Sequence, residues 1–504
     1  MDAEVPLSPK LALIIGHCRR PVMEYKGVAP PFLHMTLHHT EFDTIVIGGG
    51  QAGPSLASDL DARGEKVAVF QEGPFGGTCL NDGCRPTKAL RASAHAAHAA
   101  RTAAPYGVHV ESVTVNVAEA VERKDALIST WRDNATEYYE NHETISYVTA
   151  RARLAGKDGR NYLVSFGDTT VSAPRVVLNT GARSVPPVIK GLDAVDYLDH
   201  HTLLDLKEVP PHLVVIGGSY IGLELGQVWS RFGSKVTILE HGARIISRED
   251  PDISDAVSKM LEDEGLTVRT GVAIDRVEAM EGAGKAHGGK GGAAVVVLSG
   301  GERIACDRVL VAAGRAPNSD DLGLDTVGVE TDQRGYITTN DTFLTSAPGI
   351  YAVGDVNGRG AFTHTSYQDH EILADHLAGG DRSVAGRITT YALFTDPPLG
   401  RVGLTLAQAK DAGLTVSVAD YPMASLTKAA LDGVTQGFIR LVVDTDADHI
   451  VGAAAFGLYG DEVVQSLSLM MHVDAPASAL ATWLPIHPTV AEFLPTIYGG
   501  LKPA

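Results

Sequence analysis

Cysteine is scarce in this sequence, which holds only 4 cysteines among 504 residues. So few cannot form the disulfide framework of a small secreted protein, and we expect a cytoplasmic protein. A zinc site typically needs four ligands, and Cys18 and Cys306 stand too far from any other cysteine to complete one. We therefore predict no resident metal ion. Cys79 and Cys84 are the only two that lie close together in the sequence.

Long apolar runs are missing as well, since none approaches the roughly 20 residues that cross a bilayer. The apolar residues 11–16 precede Arg19 and Arg20, whereas a secretory signal carries its basic residues first. Positive charge is in deficit, because the formal net charge is -19. An acidic surface repels phosphate groups, so we expect neither nucleic acid nor a membrane as a partner.

Periodicity is absent from residues 1–40, which mix proline, histidine and arginine. We expect these residues to form an extension outside the fold, with Met35 as an alternative first residue. The remaining length is enough for about two to four domains with large cores. Hydrophobic residues make up 44% and charged residues 20% of the sequence, which are the proportions of a globular protein.

A glycine-rich turn follows the first predicted strand, residues 44–47. Gly48, Gly50 and Gly53 come next, and an Ala/Leu-rich helix and a second strand at residues 67–70 complete a βαβ unit. In such a unit the first glycine allows the tight turn, and the second lets a pyrophosphate approach the backbone. The third lets the helix pack on the strand. The pattern therefore predicts dinucleotide binding.

The end of the second strand in such a unit usually carries an acidic residue that binds the adenosine ribose. Here Gln71 occupies that position and Glu72 follows it. A glutamine can still hydrogen-bond a ribose hydroxyl, so we keep both residues as candidates for cofactor binding.

The same pattern restarts at His212, about 170 residues further on, and predicts a second dinucleotide-binding domain. Its turn contains Gly217 and Gly222, with Ser219 in place of the middle glycine. Its second strand ends at Glu240, whose carboxylate would accept hydrogen bonds from a free 2′-hydroxyl and repel a 2′-phosphate. We therefore expect NADH rather than NADPH. Two arginines just beyond it, Arg244 and Arg248, would weaken that preference.

Several further elements follow from the sequence. Helices are predicted at residues 85–104 and 117–139, and short strands around Val148, Leu163 and Val176 suggest a small sheet. From about residue 387 the sequence changes to alternating strands and indicates a separate domain. The remaining predictions are a glycine-rich loop at 282–292, strands at 308–314 and 350–355, and helices near 461–471 and 488–498.

The segment GGTCLNDGCRPTK contains the two close cysteines, Cys79 and Cys84. Cys84 is predicted just before a helix N-terminus, and Arg85 is adjacent. Both the helix dipole and the cation stabilise a thiolate, which is the form that exchanges with a disulfide. The segment therefore predicts a redox-active pair, with two buried structural cysteines as the alternative.

The segment IHPTVAEF places His487 just before a helix that we predict to start at Pro488, with Glu492 inside the helix. A carboxylate can hold one imidazole nitrogen and leave the other facing a reacting thiol. Spacing alone favours a structural pair over a catalytic one.

These motifs, in this order, resemble the flavin-dependent pyridine nucleotide–disulfide oxidoreductases, and the resemblance runs from about Phe42 to Pro503. It implies an α/β fold, in which two Rossmann-like domains for FAD and NAD(P) are joined to a C-terminal α+β dimerisation domain. The implied boundaries are 41–190 and 313–386 for the two FAD segments, 191–312 for the NAD(P) domain and 387–504 for the dimerisation domain.

The resemblance also implies a role for each catalytic residue. Cys79 matches the thiol that exchanges with substrate, and Cys84 matches the thiol that contacts flavin and forms the charge-transfer complex. Lys88 and Glu224 match a lysine near flavin N5 and its carboxylate partner.

The resemblance identifies His487 and Glu492 as an acid–base pair, which in this family acts on the cysteines of the other subunit. A homodimer with shared active sites is therefore implied. Tyr220 matches a tyrosine that gates the nicotinamide pocket in some members.

Further positions match the FAD contacts of the family. Asp355 matches the aspartate that binds the ribityl chain, and the helix after Thr365 resembles one whose N-terminus stabilises reduced flavin. The remaining positions that the resemblance implies for cofactor binding are Gly77, Thr78, Lys88, Gly181 and Gly314.

The sequence departs from the family at positions that bear on the electron acceptor. Its C-terminal stretch looks closest to the mercuric-reductase-like branch, but it ends GGLKPA without the outer cysteine pair of mercuric reductase, and it lacks that enzyme's cysteine-containing N-terminal module. Arg85 stands where the family has an aliphatic residue, and Asp82 adds a charge between the cysteines. A charged loop suggests an acceptor other than the apolar dihydrolipoamide.

We therefore predict an enzyme of the NAD(P)H-dependent flavoprotein disulfide reductase type. In it, electrons pass from NADH through FAD to Cys79 and Cys84, and on to a small disulfide or a soft metal ion. The alternatives are a dihydrolipoamide dehydrogenase and a diaphorase or transhydrogenase that uses the flavin alone. A non-catalytic protein that keeps FAD for structure is a further alternative, against which Lys88, Glu224 and His487 argue.

Overall fold

The computed structural model describes residues 37–280 and 292–504. Strand β1 (Thr44–Ile47) is buried along its whole length and is the middle strand of a five-stranded sheet. All pairings in this sheet are parallel, and a parallel strand covered on both faces is apolar throughout. The other strands are β2 (Val67–Gln71), β3 (Ile145–Thr149), β7 (Arg175–Leu178) and β17 (Ile350–Ala352), in the order β17-β7-β1-β2-β3.

The helices beside this sheet include one that begins at the first glycine turn and two that contain the close cysteines. Helix α1 (Ala52–Asp61) joins β1 to β2, and α2 (Gly77–Asn81) contains Cys79. Helix α3 (Cys84–Arg101) begins one residue before the predicted start, so Cys84 is its first residue and not the residue before it. Helix α4 (Val117–Glu140) agrees with its prediction to within one residue.

A second parallel sheet repeats this arrangement. Its strands are β9 (His212–Ile216), β10 (Lys235–Leu239), β11 (Thr267–Arg269) and β15 (Arg308–Val311), in the order β11-β10-β9-β15. Helix α6 (Tyr220–Phe232) joins β9 to β10 as α1 joins β1 to β2. The chain is therefore an α/β protein with two Rossmann-like units. The short helix α5 (His200–Leu204) precedes β9, and α7 (Pro251–Asp263) follows β10.

The small sheet predicted from Val148, Leu163 and Val176 is wrong in its membership. Val148 and Val176 lie in β3 and β7 of the five-stranded parallel sheet, where their neighbours are almost all buried. Only Leu163 belongs to a small antiparallel sheet, and there buried and partly exposed residues alternate. That sheet consists of β4 (Arg153–Asp158), β5 (Asn161–Phe166) and β6 (Thr169–Ala173).

Two further small sheets flank the parallel ones. They consist of β8 (Ala182–Ser184) with β16 (Arg315–Pro317), and of β12 (Ile274–Ala279), β13 (Ala294–Leu298) and β14 (Arg303–Cys306). The strand predicted at 350–355 ends at Ala352, and Asp355 lies in the 3-10 helix Gly354–Asn357 that follows. Helix α8 (Thr363–Leu377) begins two residues before Thr365.

The C-terminal part forms a six-stranded antiparallel sheet with helices. Its strands are β18 (Thr390–Leu393), β19 (Leu399–Gly403), β20 (Val416–Pro422), β21 (Phe438–Asp444), β22 (His449–Phe456) and β23 (Lys502–Pro503), in the order β18-β19-β22-β21-β20-β23. Its helices are α9 (Leu406–Asp411), α10 (Thr427–Leu431), α11 (Gly460–His472) and α12 (Leu494–Gly499).

The helix predicted to start at Pro488 is wrong in its bounds. The structure has a 3-10 helix, Ala491–Phe493, and then α12, so Pro488 lies outside any helix. Pro495 explains the break, because a proline lacks the N–H that a helix interior needs but is tolerated in the first turn.

At the other end of the chain, residues 37–40 contact the fold although the predicted boundary was 41. Leu37 packs against a core cluster that includes Val171 and Ala173 of β6, and the carbonyl of Thr40 accepts the Ser172 N–H. The glycine-rich loop at 282–292, apart from Gly292, and residues 1–36 lie outside the described residues. Within the parts of the chain that the structure describes, no helix is long and apolar enough to cross a membrane. The domain boundaries stay predictions.

Candidate active site

A large cleft runs between the two Rossmann-like units and the antiparallel sheet. Its volume is about 1790 Å³, more than the usual 300–1,000 Å³ of a pocket for one small ligand. Both glycine turns and both cysteines line it. The cleft therefore brings together motifs that are far apart in the sequence.

The glycines of the first turn are required for different reasons. Gly48 has φ +117°, and a Cβ there would lie 2.1 Å from the carbonyl oxygen of Asn179. A Cβ at Gly53 would lie 2.2 Å from the carbonyl oxygen of Gly48, where α1 crosses the end of β1. Gly50 instead lines the cleft, and the nearest neighbour of its Cβ would be 3.4 Å away. The backbone at Gly50 is thus accessible to a phosphate.

Gln71 and Glu72, the candidates for ribose binding, both line the cleft. Oε1 of Gln71 accepts the Gly49 N–H at 2.6 Å, and its Nε2 donates to the Glu72 carbonyl at 2.7 Å. Gln71 therefore fixes the glycine turn itself. The Glu72 side chain is 65% exposed and 3.7 Å from Arg151, so its carboxylate is the more accessible of the two side chains.

The second turn has the same geometry with one substitution. Gly217 has φ +113°, and a Cβ at Gly222 would lie 2.1 Å from the Gly217 carbonyl oxygen. Ser219 precedes α6 with φ -109°, a conformation open to any residue, so serine is tolerated where the pattern has glycine.

The carboxylate of Glu240 closes this turn from the end of β10. Its two oxygens accept the N–H groups of Gly218 and Gly242, each at 2.6 Å. Each oxygen keeps a second lone pair for a ribose hydroxyl. Arg244 and Arg248 line a cavity of about 80 Å³ beside it.

The two cysteines are free thiols in consecutive helices, Cys79 in the middle of α2 and Cys84 at the start of α3. Cys84 is the first residue of α3, and its Sγ lies 3.4 Å from Oγ1 of Thr363, the first residue of α8. Two helix N-termini therefore meet at Cys84, and both favour a negative charge there.

The two sulfurs have opposite pKa shifts. A hydrogen bond from the Cys79 thiol, another from Thr363 and the charge of Lys88 lower the pKa of Cys84 to about 6, against the effect of its burial. The same bond to Cys84 and burial raise the pKa of Cys79. At neutral pH the reduced pair therefore holds a thiolate at Cys84 and a thiol at Cys79.

This difference predicts a pH dependence. We expect the long-wavelength absorbance of a thiolate beside oxidised flavin to be present above pH 6 and to disappear as the pH falls through the Cys84 pKa of about 6. Thr363→Val removes a hydrogen bond to the thiolate and should raise the midpoint by about one pH unit. Anaerobic absorbance titration of the two-electron-reduced protein measures both. A band of constant intensity through this region would contradict the assignment.

Lys88 and Glu224 form an ion pair across the cleft, with Nζ 2.6 Å from Oε2. Glu224 is buried, and its Oε1 accepts the backbone N–H of Phe394 at 2.9 Å. The ammonium group also lies 4.3 Å from the ring centre of Phe394. The pair thus joins α3 to α6 and holds a cation one helical turn from Cys84.

The charged residues of the cysteine loop have partners of their own. Oδ1 of Asp82 lies 2.8 Å from Nδ1 of His201 in α5, and both residues line the cleft. The guanidinium of Arg85 lies over the ring of Trp131, 5.1 Å from its centre. The loop around the two cysteines therefore places two charged side chains, Asp82 and Arg85, along the cleft.

The other predicted cofactor positions also line the cleft: Gly77, Thr78, Gly181, Gly314, Tyr220 and Asp355. Burial raises the pKa of Asp355, although Arg315 lies 3.2 Å away and opposes the shift. Burial raises the pKa of Tyr220 to about 12, so it stays neutral. A side chain at Gly181 would meet no atom within 4 Å and would project into the cleft.

These observations fit FAD and a nicotinamide dinucleotide. Gly50 and Gly181 leave space that a side chain would fill, and a half-buried carboxyl, that of Asp355, lines the same cleft. The volume of the cleft exceeds what a single small ligand needs. Among the residues that the structure describes, no group of three or more His, Cys, Asp or Glu is arranged to hold a metal ion.

His487 and Glu492 pair with each other but not with the cysteines of the same chain. Nδ1 of His487 lies 2.8 Å from Oε2 of Glu492, and neither residue lines the cleft. The imidazole is 74% exposed, whereas the carboxylate is 11% exposed. Three neighbouring apolar side chains, Trp483, Leu484 and Ile486, are also exposed.

Sequence reasoning missed Asn179, Thr363 and Phe394. Asn179 follows β7 and donates to the Gly48 carbonyl at 3.1 Å, and a polar residue at the carboxyl end of a buried parallel strand is a signal that was available. Thr363 had a weaker signal, as a hydroxyl residue near a predicted helix start. Phe394 had none, because its contacts to Lys88 and Glu224 depend on the tertiary fold.

Comparison with known proteins gives two family matches. The profile for "Pyridine nucleotide-disulphide oxidoreductase" matches residues 42–369, and the profile for "Pyridine nucleotide-disulphide oxidoreductase, dimerisation domain" matches residues 389–497. Together they cover most of the chain.

Individual relatives are similar over 90% or more of this chain. RclA of Escherichia coli (strain K12) is 30% identical over 92% of this chain and 100% of its own length. A mercuric reductase of Bacillus cereus is 31% identical over 90% of this chain and 70% of its own. A dihydrolipoyl dehydrogenase of Geobacillus stearothermophilus is 32% identical over 90% and 94%.

The fold is similar to the solved structure of a Cu(II) complex of the HOCl-induced flavoprotein disulfide reductase RclA from Escherichia coli. The TM-score is 0.81 at 29% identity, and the match covers 92% of this chain and 99% of that one.

Proposed function

Because the chain belongs to the pyridine nucleotide–disulfide oxidoreductases, FAD-dependent enzymes with NAD(P)H as electron donor, we propose how its own residues divide that reaction. NADH is the donor, Cys79 and Cys84 are the redox pair, and the acceptor is a small disulfide or a soft metal ion. When bound, FAD supplies a group that takes two electrons as hydride from the nicotinamide and passes them to a disulfide.

The observation that carries this proposal is the position of Cys84. Its sulfur lies in the cleft beside Thr363, and its pKa is lowered to about 6 by the hydrogen bond from Cys79, by Thr363 and by Lys88. A structural cysteine has no need of a stabilised thiolate. Cys306 provides the contrast, because burial raises its pKa to about 12.

The two cysteines then take separate roles. In the reduced pair, Cys79 attacks the acceptor disulfide, one thiol leaves, and a mixed disulfide forms at Cys79. Cys84 attacks that mixed disulfide, releases the second thiol and restores the Cys79–Cys84 bond. The overall balance is NADH, one proton and one disulfide giving NAD⁺ and two thiols.

Because the pKa of Cys79 is raised, it needs a base to become a nucleophile. We propose His487 of the partner subunit for that role, since His487 is exposed and Glu492 holds its Nδ1. The imidazole takes the Cys79 proton and returns it to the leaving thiolate. The exposed Trp483, Leu484 and Ile486 beside it suit a homodimer interface, and the matched dimerisation profile supports a homodimer.

Glu240 supports NADH as the donor. A 2′-phosphate would meet a carboxylate that two backbone N–H groups fix in place. Arg244 and Arg248 line the same small cavity as Glu240, and their positive charges reduce this discrimination. We propose a preference for NADH that does not exclude NADPH.

The acceptor is approached through the charged loop. Asp82, with His201, and Arg85 give the surroundings of the cysteines polar groups that an apolar dihydrolipoyl chain does not match. The copper complex of RclA supports a metal-ion acceptor, for which two Cu(II) would become two Cu(I) per NADH. Dihydrolipoamide oxidation is the second candidate, and the similarity to a dihydrolipoyl dehydrogenase favours it. The small number of cysteines, 4 in the whole sequence, supports a cytoplasmic location.

Anaerobic titration with NADH and, separately, with NADPH tests the proposal. We expect about one equivalent of NADH per FAD to reduce the cysteine pair through the flavin and to produce a long-wavelength band, at lower concentrations than NADPH. The reduced protein is then mixed with glutathione disulfide, lipoamide, Hg(II) or Cu(II), and recovery of the oxidised spectrum identifies the acceptor. A flavin spectrum that excess NADH leaves unchanged would overturn the proposal and support a structural role for FAD.

A further inference from the structure

The hydroxyl group of Tyr391, on β18, is held by a buried carboxylate from the segment that follows β10 of the second parallel sheet. It donates to Oε1 of Glu249 at 2.5 Å, and Glu249 lies between β10 and α7. Arg401 of β19 binds the same carboxylate, with Nε 3.1 Å from Oε2. The side chains of Arg401 and Glu249 are each 1% exposed, so this anchor is isolated from water.

The ring of Tyr391 lines the cleft and contacts two other rings there. It meets Tyr220 edge-on, with centroids 5.6 Å apart, and stacks on Phe362, with centroids 5.7 Å apart and an interplanar angle of 15°. Tyr220 is the first residue of α6 in the second glycine turn. Phe362 directly precedes Thr363, whose hydroxyl contacts Cys84. One anchored ring thus supports both the nicotinamide side and the thiolate side of the cleft.

We propose that Tyr391 is a positioning residue for Tyr220, and through it for the nicotinamide; this inference rests on the proposed function. Tyr220 has to yield when a nicotinamide enters, because it lines the cleft next to the glycine turn that receives the dinucleotide. The Tyr391 ring, which Glu249 holds in place, restricts the directions in which the Tyr220 side chain can move. The nicotinamide is then confined to poses from which hydride transfer is possible.

Such a role separates rate from affinity. Under the proposed function Gly217 and Glu240 bind the adenosine half of the dinucleotide, whereas Tyr391 contacts Tyr220 on the nicotinamide side. We expect the adenosine half to supply most of the affinity. Loosening Tyr391 therefore leaves NADH binding nearly intact but lowers the fraction of productive complexes. A residue that only stabilised the fold would not separate the two.

Tyr391→Phe tests the proposal, because it removes the anchored hydroxyl while Arg401 still pairs with Glu249. No uncompensated buried charge results. We expect flavin reduction by NADH in stopped flow to slow about tenfold, since geometry at the reacting centre is strongly coupled to rate. The NADH dissociation constant should change by less than about threefold. In the protein with FAD but no NADH, amide hydrogen exchange should become faster at residues 219–224 and 362–366.

Tyr162→Phe is the matched control. Its hydroxyl also donates one hydrogen bond, partly buried, to the Pro348 carbonyl at 2.6 Å, but Tyr162 does not line the cleft. We expect its hydrogen exchange and reduction rate at the cleft to equal those of the wild type. If Tyr391→Phe lowers the FAD content, Phe362→Leu removes the stacked ring from the other side, and the same separation of rate and affinity is expected.

Unchanged rate and exchange in Tyr391→Phe would overturn the inference, and so would equal changes in both tyrosine variants. Wild-type flavin that NADH does not reduce would instead overturn the proposed function. In that event the exchange measurement still decides whether Tyr391 positions Tyr220.

Discussion

Replacing Cys84 by serine is expected to abolish the long-wavelength band and to lower acceptor turnover by about a thousandfold or more, because no disulfide can then form with Cys79. NADH should still bleach the flavin, since the two glycine turns and the Lys88–Glu224 pair are unchanged. Stopped flow measures the reduction of the flavin by NADH. Steady-state turnover, with the acceptor found by titration, measures the transfer of electrons to that acceptor. The expected result is therefore a loss confined to the second half of the reaction.

Cys306→Ala is the control for this substitution. Cys306 is buried in β14, its Sγ lies 3.5 Å from the Ala294 carbonyl oxygen, and it does not line the cleft. Its loss should leave both half-reactions within about twofold of the wild type, since substitutions away from a site have small effects. Unchanged acceptor turnover in Cys84→Ser would instead favour a diaphorase that uses the flavin alone.

The sequence predicted those strands and glycine turns whose residues follow one another along the chain. The strand at residues 44–47, the glycines after it and the second copy from His212 each combine a local pattern with a backbone requirement. Gly48 shows the connection directly, because a Cβ there would lie 2.1 Å from the Asn179 carbonyl oxygen. Because the backbone at such a position accepts only glycine, the requirement can be recognised from the local sequence alone.

Contacts between distant segments could not be predicted in this way. Thr363 reaches Cys84 across 279 positions, Phe394 reaches Glu224 across 170, and His201 reaches Asp82 across 119. No periodicity connects such residues, and only the folded chain brings them into the cleft. The family resemblance supplied Lys88 and Glu224, which are also 136 positions apart, but it could not supply Asp82 with His201.

Errors in secondary structure have a similar cause. Val148 and Val176 were grouped with Leu163 because all three lie in short apolar segments, yet the first two belong to a parallel sheet whose other strands lie elsewhere in the sequence. The C-terminal helix was predicted too long because Pro495 was not treated as the first turn of a new helix. Both errors concern the partners and limits of an element and not its existence.

His487→Ala is expected to lower acceptor turnover by about a hundredfold or more in the homodimer, since a positioned acid–base group typically contributes that much. The decisive measurement uses a mixed dimer of one His487→Ala chain and one Cys84→Ser chain, purified through two different tags. If the site is shared, the intact Cys79–Cys84 pair of the first chain faces the intact His487 of the partner subunit.

One complete site per mixed dimer should restore about half of the wild-type turnover, because a twofold dimer has two equivalent sites. Three observations support a shared site and therefore this outcome. The imidazole is exposed, it does not line the cleft of its own chain, and exposed apolar residues surround it. If His487 acted on the cysteines of its own chain, neither site would be complete, and the mixed dimer would be no more active than its parents. Glu492→Gln should weaken activity less than His487→Ala, because an amide oxygen can still accept from Nδ1 and hold the ring.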